Sequence, residues 1–148
     1  MIPEAEDELY ICAKNRCKAI SEIKTMPYPG FPTDLQSPLL SVLSLANGNS
    51  VLTETIFEDR FKVVEELKSM GAQIRVQGDT AYVRGVEKLH GGNLHAKELR
   101  GGAALCIAAA AAEGESHIYG CPYIFRGYEN MIRDLTMMGI MVHLEKSD

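Results

Sequence analysis

The apolar positions of the chain fall into two recurring periods. Leu39, Leu40, Leu43 and Ala46 share one face at helical spacing, and Gly48 punctuates the end of that run. Ser37-Pro38 suits an N-cap followed by proline in the first turn. Thr33 and Gln36 also match a capping box, but a helix begun there holds Pro38 inside and loses a hydrogen bond. Ser50 to Thr55 is rich in β-formers and predicts a strand. A second helix is predicted from about Asp59 to Met70, burying Phe61, Val64 and Leu67, with Gly71 as a left-handed cap. Ile74 and Val76 then alternate with polar neighbours, Gly78-Asp79 suits a two-residue hairpin turn, and Thr80 to Val86 returns as a strand.

The same order follows again. A helix made almost wholly of alanine occupies Ala103 to Ala112, with Gly101-Gly102 at its start. Lacking a polar face, it reads as buried all round, its small side chains allowing close backbone approach, which suggests helices packed inside sheets. Ser116 to Tyr119 predicts a short strand, Tyr128 to Met138 an amphipathic helix and Ile140 to Leu144 a last strand. Ahead of both sets, Leu9 to Ala13 and Ala19 to Lys24 read as two further strands. No linker is visible.

These two sets are copies. Asp34-Leu35-Gln36 matches Glu98-Leu99-Arg100, and Ala46-Asn47-Gly48 matches Ala112-Glu113-Gly114. Arg60 matches Arg126, and Leu67 to Gly71 matches Leu135 to Gly139 as Leu-x-x-Met-Gly. The offset drifts from 64 to 68 residues, so the repeat is a duplicated supersecondary unit with small loop changes. One copy covers about 25–92 and the other about 93–148.

Composition narrows the class. With 148 residues, 46% hydrophobic and 24% charged, the chain suits one globular domain and is too apolar for disorder. Its net charge of −5 and scattered Lys and Arg argue against nucleic acid as a partner. The longest strongly apolar run is half a membrane span, and the acidic N-terminus shows no signal peptide, so a cytoplasmic protein without membrane contact is expected. Cys12, Cys17, Cys106 and Cys121 form no CxxC and no zinc spacing, so neither a disulfide framework nor a metal is expected.

Duplication superimposes chemistry. Asp34 and Glu98 both fall at the entrance to a first helix, Arg60 and Arg126 at the entrance to a second, and Arg100 lies one turn into its helix. Helix N-termini attract anions, and a guanidinium holds phosphate or carboxylate bidentately. Carboxylates beside arginines suit an anionic substrate that must also lose a proton; any one of these residues alone reads more simply as a dipole partner or a surface ion pair. Pro27-Tyr28-Pro29-Gly30-Phe31-Pro32-Thr33 makes a stiff connector just before Asp34. That rigidity suits a general base or a plain strand-to-helix connection equally well.

Thr25 to Gln36 (TMPYPGFPTDLQ), Glu54 to Phe61 (ETIFEDRF), Gly85 to Leu89 (GVEKL) and Arg126 to Glu129 (RGYE) together resemble the C-terminal part of the UDP-N-acetylglucosamine 1-carboxyvinyltransferase family of enolpyruvyl transferases. The likeness covers nearly the whole chain in one order. It implies an α/β (α+β) fold, an inside-out barrel domain of three βαβαββ units around internal helices, of which the chain holds about two. It implies transfer of enolpyruvate from phosphoenolpyruvate to the 3-hydroxyl of UDP-N-acetylglucosamine with release of phosphate, the first committed step of peptidoglycan synthesis, without a cofactor.

By motif, Asp34 resembles the acid that binds and deprotonates the sugar hydroxyl. Glu98 resembles the second catalytic carboxylate, where the family usually has aspartate; it keeps the charge and adds a methylene. Ile56 resembles the residue whose backbone contacts the UDP-sugar, with Phe57 beside it, and Arg100 and Arg126 resemble the arginines that hold phosphoenolpyruvate. The family's N-terminal domain, with its Lys-Asn pair and reactive-cysteine loop, has no counterpart here. The resemblance therefore implies a chain inactive alone, whose uncovered apolar surface favours self-association. The competing readings are a truncated non-catalytic UDP-sugar-binding or interaction module and, within the fold, an enolpyruvylshikimate-phosphate synthase or an RNA 3′-phosphate cyclase. PGFPTD and the acidic balance oppose the last two.

Overall fold

A computed structural model describes residues 10–145. The first copy runs β1 (Ile23–Lys24), a 3-10 turn (Thr33–Leu35), α1 (Gln36–Ser44), β2 (Asn49–Thr53), α2 (Val64–Ser69), β3 (Gln73–Gln77) and β4 (Thr80–Arg84). The second runs β5 (Asn93–His95), α3 (Leu99–Ala111), β6 (His117–Tyr119), α4 (Cys121–Phe125) and α5 (Met131–Met137). The first sheet has the order β1-β2-β4-β3. In it β1 lies parallel to β2, which pairs antiparallel with β4, itself antiparallel to β3. The second sheet pairs β5 parallel with β6.

Each copy is thus a parallel pair joined through a helix, and the backbone repeats in detail. Asn47 donates to the Cys17 carbonyl and accepts from Ala19; Glu113 donates to the Leu89 carbonyl and accepts from Gly91. Gly48 and Gly114, matched in sequence, both take positive φ (118° and 89°), as do Gly71 and Gly139 (100° and 85°). These are the turns where a Cβ is penalised, which is why both copies carry glycine there.

The central helices pack on each other, the Ser41 hydroxyl donating to the Ala104 carbonyl at 2.7 Å. Leu40 and Leu43 of α1 share one core with Ala104, Leu105 and Ala108 of α3, Leu67 of α2 and Leu52, Ala81 and Val83 of the sheet. Each such leucine contributes about 2 kcal/mol. The ion pairs of Lys24, Lys62 and Lys68 lie on the surface and are worth about 1 kcal/mol or less apiece, so the core decides the fold.

The structure corrects several expectations. Helix α1 begins at Gln36 rather than after a Ser37 cap, which puts Pro38 at its third position, where the missing N–H belongs to the unpaired first turn. α3 is buried from Gly101 to Cys106 and at Ala108, but Ile107, Ala110 and Ala111 are exposed, so it is not enclosed all round. α2 starts at Val64 instead of near Asp59, because residues 55–60 form an irregular loop in which Asp59 takes a φ of +55°. β1 is two residues, not six, and Tyr10 to Ala13 form no strand; Leu9 lies outside the described residues. Residues 140–144 form no strand; Ile140 and Val142 pack instead against the cluster of Ala96, Cys106, Ile124 and Leu135. β5 and α4 were not expected from the pattern. Met137, Met138 and Met141 are exposed in this last part of the chain.

Candidate active site

Of the predicted residues, Asp34, Glu98 and Arg100 lie where β1 and β5 lead into α1 and α3, and Ile56 and Phe57 follow the end of β2. In parallel α/β units this is the edge at which ligands bind. Asp34 sits in the 3-10 turn between the proline-rich loop and α1, its side chain 63% exposed. The loop is closed by Met26 N–H to the Phe31 carbonyl (2.9 Å) and Gly30 N–H to the Pro27 carbonyl (2.8 Å). Arg100 reaches across from the second copy, and its Nε donates to Asp34 Oδ1 at 2.5 Å. The two residues are 66 positions apart in sequence. An ion pair this exposed adds little stability, so its structural value does not explain it.

Glu98 caps α3. Its Oε2 accepts from Arg100 N–H at 3.0 Å and its Oε1 from Gly101 N–H at 2.5 Å. Asp34, by contrast, caps nothing. The two matched acids are therefore used differently: Glu98 fixes the helix that carries Arg100, while Asp34 pairs with the Arg100 side chain and stays largely exposed. The expected place of Arg126 at the entrance of a second helix is corrected. It ends α4, and Asn130 caps the following α5. Gly127 lies so close to Leu99 that a Cβ there would stand 2.6 Å from it, which sets the chain after α4 against the start of α3. Arg126 has no ion-pair partner among the described residues.

Ile56 and Phe57 lie in the loop after β2, half exposed, with the Arg60 guanidinium 4.4 Å over the Phe57 ring. A cleft of about 570 Å³ between this loop and the β3–β4 turn is lined by Ile56, Phe57, Arg60, Phe61, Val76 and Asp79. Asp34, Arg100 and Arg126 do not line it.

The residue that the sequence did not single out is Glu54, only 3% exposed. Its Oε1 accepts from the Thr25 hydroxyl (2.8 Å), Ile56 N–H (2.8 Å) and Phe57 N–H (3.2 Å), and its Oε2 from the Thr33 hydroxyl (2.8 Å). Thr55 N–H donates in turn to the Thr25 hydroxyl at 2.8 Å. Burial alone raises a carboxyl's pKa, but the bonds from Ile56, Thr33, Thr25 and Phe57 outweigh it and hold Glu54 below its ordinary value. A signal was present: Ser50, Leu52 and Glu54 share one parity along the strand, so an acid falls on the buried face.

That shift has a sign. A carboxyl whose pKa is depressed by folding stabilises the fold above its unfolded value and loses that contribution as pH falls through the lowered one. The chain's thermal stability is expected to fall on acidification below the ordinary glutamate range, and Glu54→Leu, being less stable at neutral pH, should show a flatter acid limb. Unfolding measured against pH checks this; parallel acid limbs would remove Glu54 as the titrating group.

Comparison with known proteins follows this geometry. The profile of the EPSP synthase (3-phosphoshikimate 1-carboxyvinyltransferase) family matches residues 2–135. The chain is 51% identical over 145 residues to UDP-N-acetylglucosamine 1-carboxyvinyltransferase 3 of Symbiobacterium thermophilum, covering 98% of this chain and 34% of that protein. It is 50% identical over 141 residues to UDP-N-acetylglucosamine 1-carboxyvinyltransferase of Desulfofundulus thermocisternus, covering 95% and 58% respectively. Among solved structures, the enolpyruvyl transferase NikO from Streptomyces tendae superposes with a TM-score of 0.75 at 28% identity, over 84% of this chain and 28% of that one. The chain thus spans between about a third and three-fifths of the length of these two curated relatives.

Proposed function

The chain belongs to the EPSP synthase (3-phosphoshikimate 1-carboxyvinyltransferase) family, and on that premise we propose that it forms one wall of an active site moving enolpyruvate from phosphoenolpyruvate to the 3-hydroxyl of UDP-N-acetylglucosamine. The step commits the nucleotide sugar to peptidoglycan synthesis. The observation that carries this reading is the Asp34–Arg100 pair, one partner from each copy. Support for the nucleotide sugar over shikimate phosphate as acceptor comes from the names of the relatives at half identity and from the PGFPTD segment.

In this reading Arg100 and Arg126 take the phosphate and carboxylate of phosphoenolpyruvate. When the substrate anion claims Arg100, Asp34 is released from its ion pair and faces the sugar hydroxyl. The hydroxyl proton passes to Asp34 as the sugar oxygen bonds to C2 of phosphoenolpyruvate and C3 takes up a proton from an acid outside this wall; C3 then loses a proton as the C2–O bond to phosphate breaks, which restores the double bond and releases phosphate. Glu98 keeps Arg100 in place through the N-terminus of α3. The N–H groups of Ile56 and Phe57 are already taken up by Glu54, so a backbone contact from Ile56 to the sugar falls to its carbonyl. Charge developing on this open face needs a second wall to exclude water, so the chain by itself is expected to be inactive.

The test is phosphate release from the two substrates by this chain, alone and mixed with the complementary part of a matching transferase. Release is expected from the mixture only. Silence from correctly folded parts would favour a non-catalytic UDP-sugar-binding module. In the active mixture, Arg126→Ala should raise KM for phosphoenolpyruvate about tenfold or more and that for the UDP-sugar far less, because one charge-assisted contact is removed. Equal changes in both constants would contradict the assignment.

A further inference from the structure

We propose that Glu54 is a positioning residue for this reaction: through Thr33 and the Ile56–Phe57 backbone it makes the turn carrying Asp34 and the sugar-contacting loop one rigid body. The inference rests on the function proposed above. Three separate segments meet on this one carboxylate: Thr25 at the end of β1, Thr33 one residue before Asp34, and the loop after β2. Thr25 is fully buried and Glu54 nearly so, so the bond between them is not readily exchanged for water, while those from Thr33, Ile56 and Phe57 are partly buried.

Comparison of the two copies separates positioning from mere folding. Thr25 N–H donates to the Thr53 carbonyl, and Ala96 N–H donates to the Tyr119 carbonyl, which aligns Thr25 with Ala96 and Glu54 with Gly120. In the second copy that place holds no carboxylate. Gly120 packs directly on Ala96, where a Cβ would stand 2.4 Å from the Ala96 carbonyl oxygen. The same backbone crossing therefore closes without an acid. What differs is the connection that follows. Glu98 comes two residues after Ala96, whereas Asp34 comes nine residues after Thr25, at the end of the proline-rich loop. The inserted loop is the reason the repeat offset drops from 71 between β1 and β5 to 64 at the acids. Glu54 is the added brace for the longer arm, and its Oε2 bond to Thr33 is the strap nearest Asp34.

Thr33→Val cuts that strap while leaving the three Oε1 bonds, and Thr33→Ser keeps it. In the complemented enzyme Thr33→Val should raise KM for the UDP-sugar about tenfold and lower kcat, with KM for phosphoenolpyruvate unchanged and Thr33→Ser restoring both constants. A purely structural role would reduce the active fraction and leave each KM alone. A second measurement needs no turnover. In this chain alone, Glu54→Asp, too short to hold both arms, should speed amide exchange about tenfold or more at Ile56, Phe57 and the Asp34 turn together, with the interior of α3 unaffected. Wild-type constants in Thr33→Val, or faster exchange at Ile56 and Phe57 alone, would overturn the proposal. Failure of the unaltered mixture to use the UDP-sugar would count against the function instead, and the exchange result would still decide the brace.

Discussion

Asp34→Asn in the complemented enzyme should lower kcat by about a thousandfold while the chain folds as before. General-base removal costs roughly two to four orders of magnitude, and the amide keeps the shape while losing the proton acceptor. The structure explains why the fold should tolerate the change. Asp34 is exposed, caps no helix, and makes one surface ion pair whose loss costs about 1 kcal/mol or less. KM for phosphoenolpyruvate should fall or stay level, because Arg100 no longer has a competing carboxylate. Turnover near wild type would remove Asp34 from the base role and leave it as a partner of Arg100 only.

Gly85→Ala should be the most damaging single substitution for stability. After β4 the chain crosses the end of α1 so closely that a Cβ on Gly85 would stand 1.7 Å from the Ala46 carbonyl oxygen. The crossing is stitched on both sides: Gly85 N–H donates to the Gly48 carbonyl at 3.0 Å and Val86 N–H to the Ser44 carbonyl at 2.8 Å. Arg16 adds three more bonds, to the carbonyls of Leu45, Ala46 and Val86. Backbone held this way cannot yield as a flexible side chain does, so the cost lies at or above the upper end of overpacking, about 3 kcal/mol. For a chain of this size that is a drop in Tm of roughly 10 °C. Gly92→Ala, with no atom within 4 Å of the added methyl, is the control and should shift Tm little. Co-melting of Gly85→Ala with the unaltered chain would show that the crossing can open.

The parts legible in the sequence were those set by neighbours in the chain. The β3–β4 hairpin formed around Gly78-Asp79, and the matched glycines ending α1, α2, α3 and α5 took the positive φ that their repetition implied. The duplication itself is written in residues that the backbone reuses. Elements set by partners were not legible. β5 and α4 are three and five residues long, too short for any period to declare itself. α2 lost its first turn because the chain before it runs as an irregular loop, with Asp59 at a φ of +55° that no helix accommodates. The candidate site divides the same way. Asp34, Arg100 and Arg126 were marked by recurrence, but nothing local shows that Asp34 and Arg100 touch. Nor does it show that Glu98, aligned with Asp34, is taken up in capping its helix.

The central claim is that acid and arginine, supplied by different copies of one unit, act on the same pair of substrates. A double-mutant cycle tests it most directly: kcat/KM for phosphoenolpyruvate in the complemented enzyme with Asp34→Asn, Arg100→Ala, and both changes together. Residues that work as one constellation are strongly non-additive, so the double variant should lose little more than the worse single, about tenfold or more short of the product of the two losses. Losses that simply multiply would mean that the two side chains meet in the structure but serve no common step.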